Sequence, residues 1–179
     1  MALILLASPT HPFETPYLDP NSFILRPANI LGRQEKDTDS DGLPDSWETK
    51  GHGPLVPSRH GCNPRRADMI VVTCNEAALS RADAQRQIDR MRAFYATVPG
   101  RNPDGSTGIN IIHIWGNEFT AADAATPYPA LYARGVPAEW RDLAHGLYIT
   151  ASSGGGQNDA PTWAIVINHW AAMAHELGH

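Results

Sequence analysis

The chain has 179 residues, enough for one globular domain with a sizeable core, and its 42% hydrophobic and 18% charged content is that of a folded soluble protein. A net charge of -5 excludes a basic stripe able to neutralise phosphates, so nucleic acid is not an expected partner. No stretch approaches the roughly eighteen apolar residues of a membrane span, so none is expected.

Residues 1–36 carry Pro9, Pro12, Pro16, Pro20 and Pro27 without a helical or strand period, and they read as an extended leader. The short apolar run at residues 2–7 lacks a preceding positive region and is shorter than a usual signal core. It reads more readily as part of that extension than as the remnant of a signal peptide, so secretion has to be argued from other residues. Residues 37–64 form an acidic loop followed by a Gly/Pro/His-rich connection, and residues 65–179 form the main folded part.

Within that part, residues 67–73 (ADMIVVT) are an apolar, β-branched run of strand length. Ser80 can cap a helix in which Ala84, Ile88, Met91, Tyr95 and Val98 share one face, with Pro99-Gly100 as the stop. Residues 109–115 (INIIHIW) are a second strand. Pro127, Pro129 and Pro137 break the next stretch, leaving only a short helix over residues 138–144. Residues 146–151 (GLYITA) are a third strand, readable as an edge. The stretch SSGGG that follows is flexible, and it lacks the pattern of a phosphate loop. Residues 163–167 (WAIVI) are a fourth strand, and Asn168 can cap a terminal helix. This order predicts an α/β domain with a mixed sheet. Cys62 and Cys74 bracket the first strand. If the intervening chain is fully extended they lie too far apart to bridge, whereas a loop folding back would allow it. They decide neither compartment nor metal site.

The terminal helix carries the sharpest chemistry. Residues four apart stack on one helix face, so His175 and His179 of the HELGH run can grip one Zn²⁺ from adjacent turns. Zinc lowers the pKa of a water it holds towards ~7, so the neighbouring Glu176 can take its proton at neutral pH and later return it to a leaving amine. The plain alternative is a chance HExxH on a surface helix. The strand before it, and an apolar stripe of Trp170, Met173 and Leu177, favour a docked helix instead. His11, His52, His60, His113, His145 and His169 have no motif around them, and His113 alternates within a strand as a packed or surface residue.

Residues 37–48 (DTDSDGLPDSWE) fit the calcium-loop pattern D-x-[DN]-x-[DN]-G-x₅-E without a mismatch. Asp37, Asp39 and Asp41 would converge on the ion, Gly42 would permit the turn, and the Leu43 carbonyl would follow. Asp45 would act directly or through water, and Glu48 would close the shell. So many carboxylates repel one another without a cation. With no convincing helix before it, the loop reads as an isolated Ca²⁺ site that orders its segment. Such sites fill best at extracellular calcium levels, which predicts a secreted protein.

Taken together, DTDSDGLPDSWE, NPRRADMIVV, NPDGSTGINIIHIW and AAMAHELGH resemble a group of bacterial and fungal secreted zinc metalloproteases. These carry a calcium loop of thrombospondin-repeat type ahead of a metzincin-like catalytic domain. The resemblance covers roughly residues 37–179. It implies a zincin-like twisted sheet with a long backing helix and an active-site helix, peptide bonds as substrate, and a motif of HExxHxxGxxH form. On that pattern His175 and His179 are the first two zinc ligands and Glu176 the catalytic base, while the glycine, the third histidine and a methionine turn have no counterpart. The expectation is therefore the N-terminal part of a zinc endopeptidase, acting on protein or peptide, that by itself binds zinc weakly and turns over no substrate. The alternatives are a non-catalytic, calcium-ordered extracellular binding module and a zinc hydrolase of another substrate class.

Overall fold

The structure is a computed structural model that describes residues 35–123, 126, 128–151, 157–159 and 163–178. The leader up to residue 34, and with it His11, lies outside them. Five strands form one sheet in the order β2-β1-β3-β5-β4, with β1 at Asp68–Asn75, β2 at Asn110–Trp115, β3 at His145–Thr150, β4 at Gln157–Asp159 and β5 at Trp163–Ile167. The first four in that order are parallel, and β4 runs antiparallel along β5. Helices α1 (Asp45–Lys50), α2 (Arg81–Tyr95), α3 (Tyr128–Gly135) and α4 (Trp170–Leu177) complete the α/β architecture. Among the described residues no helix is long and apolar enough to cross a membrane.

β1 is buried along all eight residues, and helices or loops cover both of its faces. This is why its sequence reads as a continuous apolar run rather than an alternating one. Alternate residues still go to different cores. Met69 and Val71 join Ile111, Leu147 and Ile149 beneath α2 and α4, where Ala84, Ile88, Met91 and Met173 pack. Ile70, Val72 and Cys74 face the other way, towards Leu131, Val136, Trp140 and Tyr148. Leu43 and Cys62 belong to this second core, so the acidic segment is packed against the sheet rather than hanging from it.

Several boundaries differ from those read in the sequence. β1 runs two residues past Thr73, because Asn75 is tied in by its own side chain, which donates to the carbonyls of Glu76 and Leu79. Ser80 caps α2 through the Asp83 amide as expected, but the helix ends at Tyr95, before Val98. The amides of Thr97 and Val98 fold back to the Phe94 and Tyr95 carbonyls, and the Tyr95 carbonyl also accepts from Ile109 at the entry to β2. Gly108 makes that return possible. Its φ is +79°, and a Cβ there would lie 2.4 Å from the Ala96 carbonyl oxygen.

The prolines do not prevent α3. Pro129 is its second residue, in the first turn, where no intrahelical N–H is needed. The helix expected over residues 138–144 shrinks to a 3₁₀ turn at Ala138–Trp140. β3 is no edge, since it pairs with β1 on one side and β5 on the other. The edges are β2 and β4, the latter unseen in the sequence behind the glycine run; that run itself is outside the described residues. His169, not Asn168, caps α4, its Nδ1 accepting from the Ala171 amide at 3.3 Å. Cys62 and Cys74 are both free thiols.

α4 is clamped at its far end. The Tyr95 hydroxyl, fully buried, donates to the Ala174 carbonyl at 3.0 Å, while the Gly178 amide turns to His175 instead. Tyr95→Phe is expected to lower the unfolding free energy by about 1 kcal/mol, measured by urea denaturation, with faster amide exchange in the last turn of α4.

Candidate metal centres

The acidic loop is built by its own side chains. Asp37 accepts from the Ser40 amide at 2.8 Å and the Gly42 amide at 3.0 Å, curling the chain around the carboxylate. Asp39 accepts from the Asp41 amide and Asp41 from the Leu43 amide, each two residues on. Gly42 takes a φ of 94°, the left-handed backbone that its place in the motif demands. Ser40, at φ 64°, accepts the same handedness at greater cost. One ligand atom from each of Asp37, Asp39 and Asp41 lies within 4.8 Å of the others. The predicted convergence of these three is thus present.

Glu48 arrives from α1, the helix that follows the loop. It is 0% exposed, and neither carboxylate oxygen has a hydrogen-bond partner; nor does Asp39 Oδ2. Buried Glu76 makes the contrast plain, since its Oε2 accepts from the Thr150 hydroxyl and the Ala151 amide, both at 2.8 Å. Unpaired buried carboxylate oxygens are costly. Burial, reinforced by Asp41 and Asp39, pushes the Glu48 carboxyl up to about 9. Burial and Asp39 push Asp41 to about 8, and burial with the nearby Asp37 takes Asp39 to about 6. A cation among these groups would supply what they lack, and an all-oxygen set fits Ca²⁺.

Asp45 is turned elsewhere. Its carboxylate accepts from the Thr38 amide and hydroxyl, both at 2.8 Å, and pairs with Lys36 at 2.9 Å. Burial opposes its ionisation, but these contacts outweigh it and hold the carboxyl below its usual range. In this arrangement Asp45 closes the loop as a brace. Leu43 is buried at 5% exposure, anchoring the loop in the core.

Sequence reasoning did not find Asp68 or Cys62. Asp68 opens β1, and its amide donates to Asp41 Oδ2 at 2.7 Å across 27 residues. Its carboxylate accepts from Asn63, Arg66 and Asn110. Glu48, Cys62 and Asp68 together present ligand atoms within 4.8 Å of one another, all from buried residues. The available signal was a charged residue at the head of an otherwise apolar run. Beside the loop, Asp39, Asp41, Asp68, Arg101, Asn102 and His145 line part of a cleft of about 220 Å³.

On α4, Met173 and Leu177 are buried and Trp170 packs half-buried against Phe94, as the stripe predicted. His175 is exposed in the last turn, and Glu176 beside it is 8% exposed. His179 lies outside the described residues. Because Tyr95 joins this turn to the entry of β2, the last turn of α4 and the acidic loop lie at the same end of the parallel strands, on opposite faces of the sheet. The remaining described histidines have other work. His52 stacks on Trp47, His60 lies edge-on to Trp140, and His113 lies edge-on to Trp115, its pKa lowered to about 4 by burial.

The raised carboxyl values fix the sign of a pH effect. Without metal these carboxyls hold more protons in the folded chain than in the unfolded one, and above the ordinary histidine range, where the depressed His113 and His145 no longer oppose them, stability falls as pH rises to about 9. Thermal melts in EGTA are expected to show this decline, and saturating calcium to raise Tm most at the alkaline end. Glu48→Gln is expected to weaken calcium binding at least tenfold by calorimetry while raising the Tm of the metal-free chain.

Comparison with protein-family models, with curated proteins and with solved structures finds no match for this chain.

Proposed function

We propose that this chain is part of a secreted zinc-dependent endopeptidase of zincin-like fold, ordered by a structural calcium ion and acting on protein or peptide. The observation that carries the reading is α4. Its apolar side seats on a largely parallel sheet, and its last turn presents an exposed His175 next to a largely buried Glu176 within an intact HExxH sequence. His175 and His179 are the residues that would hold zinc. When bound, zinc supplies a Lewis acid and lowers the pKa of water. Glu176 would accept a proton from water and return it to the leaving amine, a role suited to a carboxylate fixed by packing beside the metal ligands. The Tyr95 clamp serves to hold the last turn of α4 in place for this task.

A second reading, a calcium-ordered binding module without catalysis, is favoured by the cleft beside the loop. Activity separates the two. In a polypeptide whose frame continues through a third zinc ligand, casein hydrolysis is expected, lost on zinc chelation. Glu176→Ala should lower kcat by about 10²–10⁴-fold with zinc still bound. Hydrolysis that persists undiminished in Glu176→Ala would sink the mechanism, and zinc-loaded protein with no hydrolysis would favour the binding module.

A further inference from the structure

We propose that the acidic segment holds a second divalent cation, of the zinc class, at an inner position formed by Glu48, Cys62 and Asp68. The position is separate from the loop's own group. Asp37, Asp39 and Asp41 come together at the partly exposed rim, whereas Glu48, Cys62 and Asp68 come together in the buried interior between α1 and the head of β1.

Three observations carry it. Glu48 is fully buried, and both of its carboxylate oxygens lack a hydrogen-bond partner among the described residues. One oxygen can serve the loop ion and the other the inner one. The donor set is also wrong for calcium alone. Calcium takes oxygen ligands, while a thiol beside two carboxylates suits a borderline-soft ion such as Zn²⁺. Tetrahedral zinc separates a sulfur and an oxygen ligand by about 3.6 Å, so atoms already within 4.8 Å close on it by small side-chain rotations.

Charge is the third. Asp37, Asp39, Asp41, Glu48 and Asp68 are opposed within the cluster by Arg66, which sits 3.1 Å from Asp68; Asp45 is matched by Lys36. One divalent ion leaves two negative charges in a largely buried space, three once the Cys62 thiol ionises, and a second ion reduces them to one. Asp68 has capacity to spare. Its Oδ2 accepts the Asn63 amide at 2.6 Å and keeps a lone pair. When the ion takes the Cys62 sulfur, the thiol proton leaves to solvent. Cys74, the other buried thiol, lies against Tyr148 in the core and provides an internal control.

The proposal does not depend on the peptidase reading. Calcium-loaded protein is titrated with Co²⁺, following thiolate-to-metal charge-transfer absorption. One equivalent is expected to produce the band. Cys62→Ser should abolish it, Asp68→Asn should weaken the ion's binding at least tenfold, and Cys74→Ser and His175→Ala should leave it intact. Absence of the band, its survival in Cys62→Ser, or its bleaching by excess calcium would overturn the assignment. Cadmium NMR of the unmodified chain keeps the test open should Cys62→Ser fail to fold. A resonance moved downfield by one thiolate is expected, and an all-oxygen shift would refute it.

Discussion

The hydrogen bond from the Asp68 amide to Asp41 joins the two halves of this molecule. Asp41 belongs to a loop that curls around its own carboxylates, and Asp68 is the first residue of the strand on which the sheet is built. Through the Asp68 carboxylate the same contact reaches Asn63 and Arg66 in the connection, and Asn110 at the head of β2. One residue thus ties the acidic loop to the entry ends of β1 and β2. The arrangement is held by charge-assisted hydrogen bonds, which are stronger than neutral ones but depend on the charge state of every carboxylate nearby.

That dependence gives the region its character. Most of the chain is stabilised in the ordinary way, by apolar side chains on both faces of the sheet. The acidic segment is different, for Leu43 and Cys62 are buried in the core while the groups around them repel one another. On the calcium reading proposed above, a cation would relieve that repulsion. Across the sheet, the last turn of α4 has a different character, with a solvent-exposed histidine, a largely buried glutamate and a tyrosine bracing the backbone.

Local signals were the ones the sequence conveyed. The calcium-loop pattern, the Ser80 cap, the apolar stripe of α4 and most of the buried strands follow from residues within a turn or two of each other. Their counterparts in the structure lie close to where they were expected. What the sequence concealed depends on distant partners. Nothing near residues 146–151 says that β1 will lie on one side and β5 on the other. Pro127 and Pro129 look like breakers until Pro129 is placed in a first turn. Asp68 and Cys62 carry no motif, because their neighbourhood with Glu48 is made by folding and not by spacing. The pairing of His175 with His179 stays a statement about sequence, since the second histidine is outside the described residues.

The order of contacts along the chain also bears on how this protein reaches its fold. β1 pairs with β3 across a gap that sets Val71 beside His145, and parallel strands joined by such long crossovers close slowly. The Asp37–Glu48 loop needs no such closure, because its ligands lie within one short stretch of chain. On the calcium reading proposed above, an ion captured there would order the loop locally, and the loop already carries the carboxylate that receives the first amide of β1. Calcium would then act on the rate of sheet assembly as well as on the stability of the finished sheet, so that the salt content of the compartment in which the chain folds becomes part of its folding mechanism.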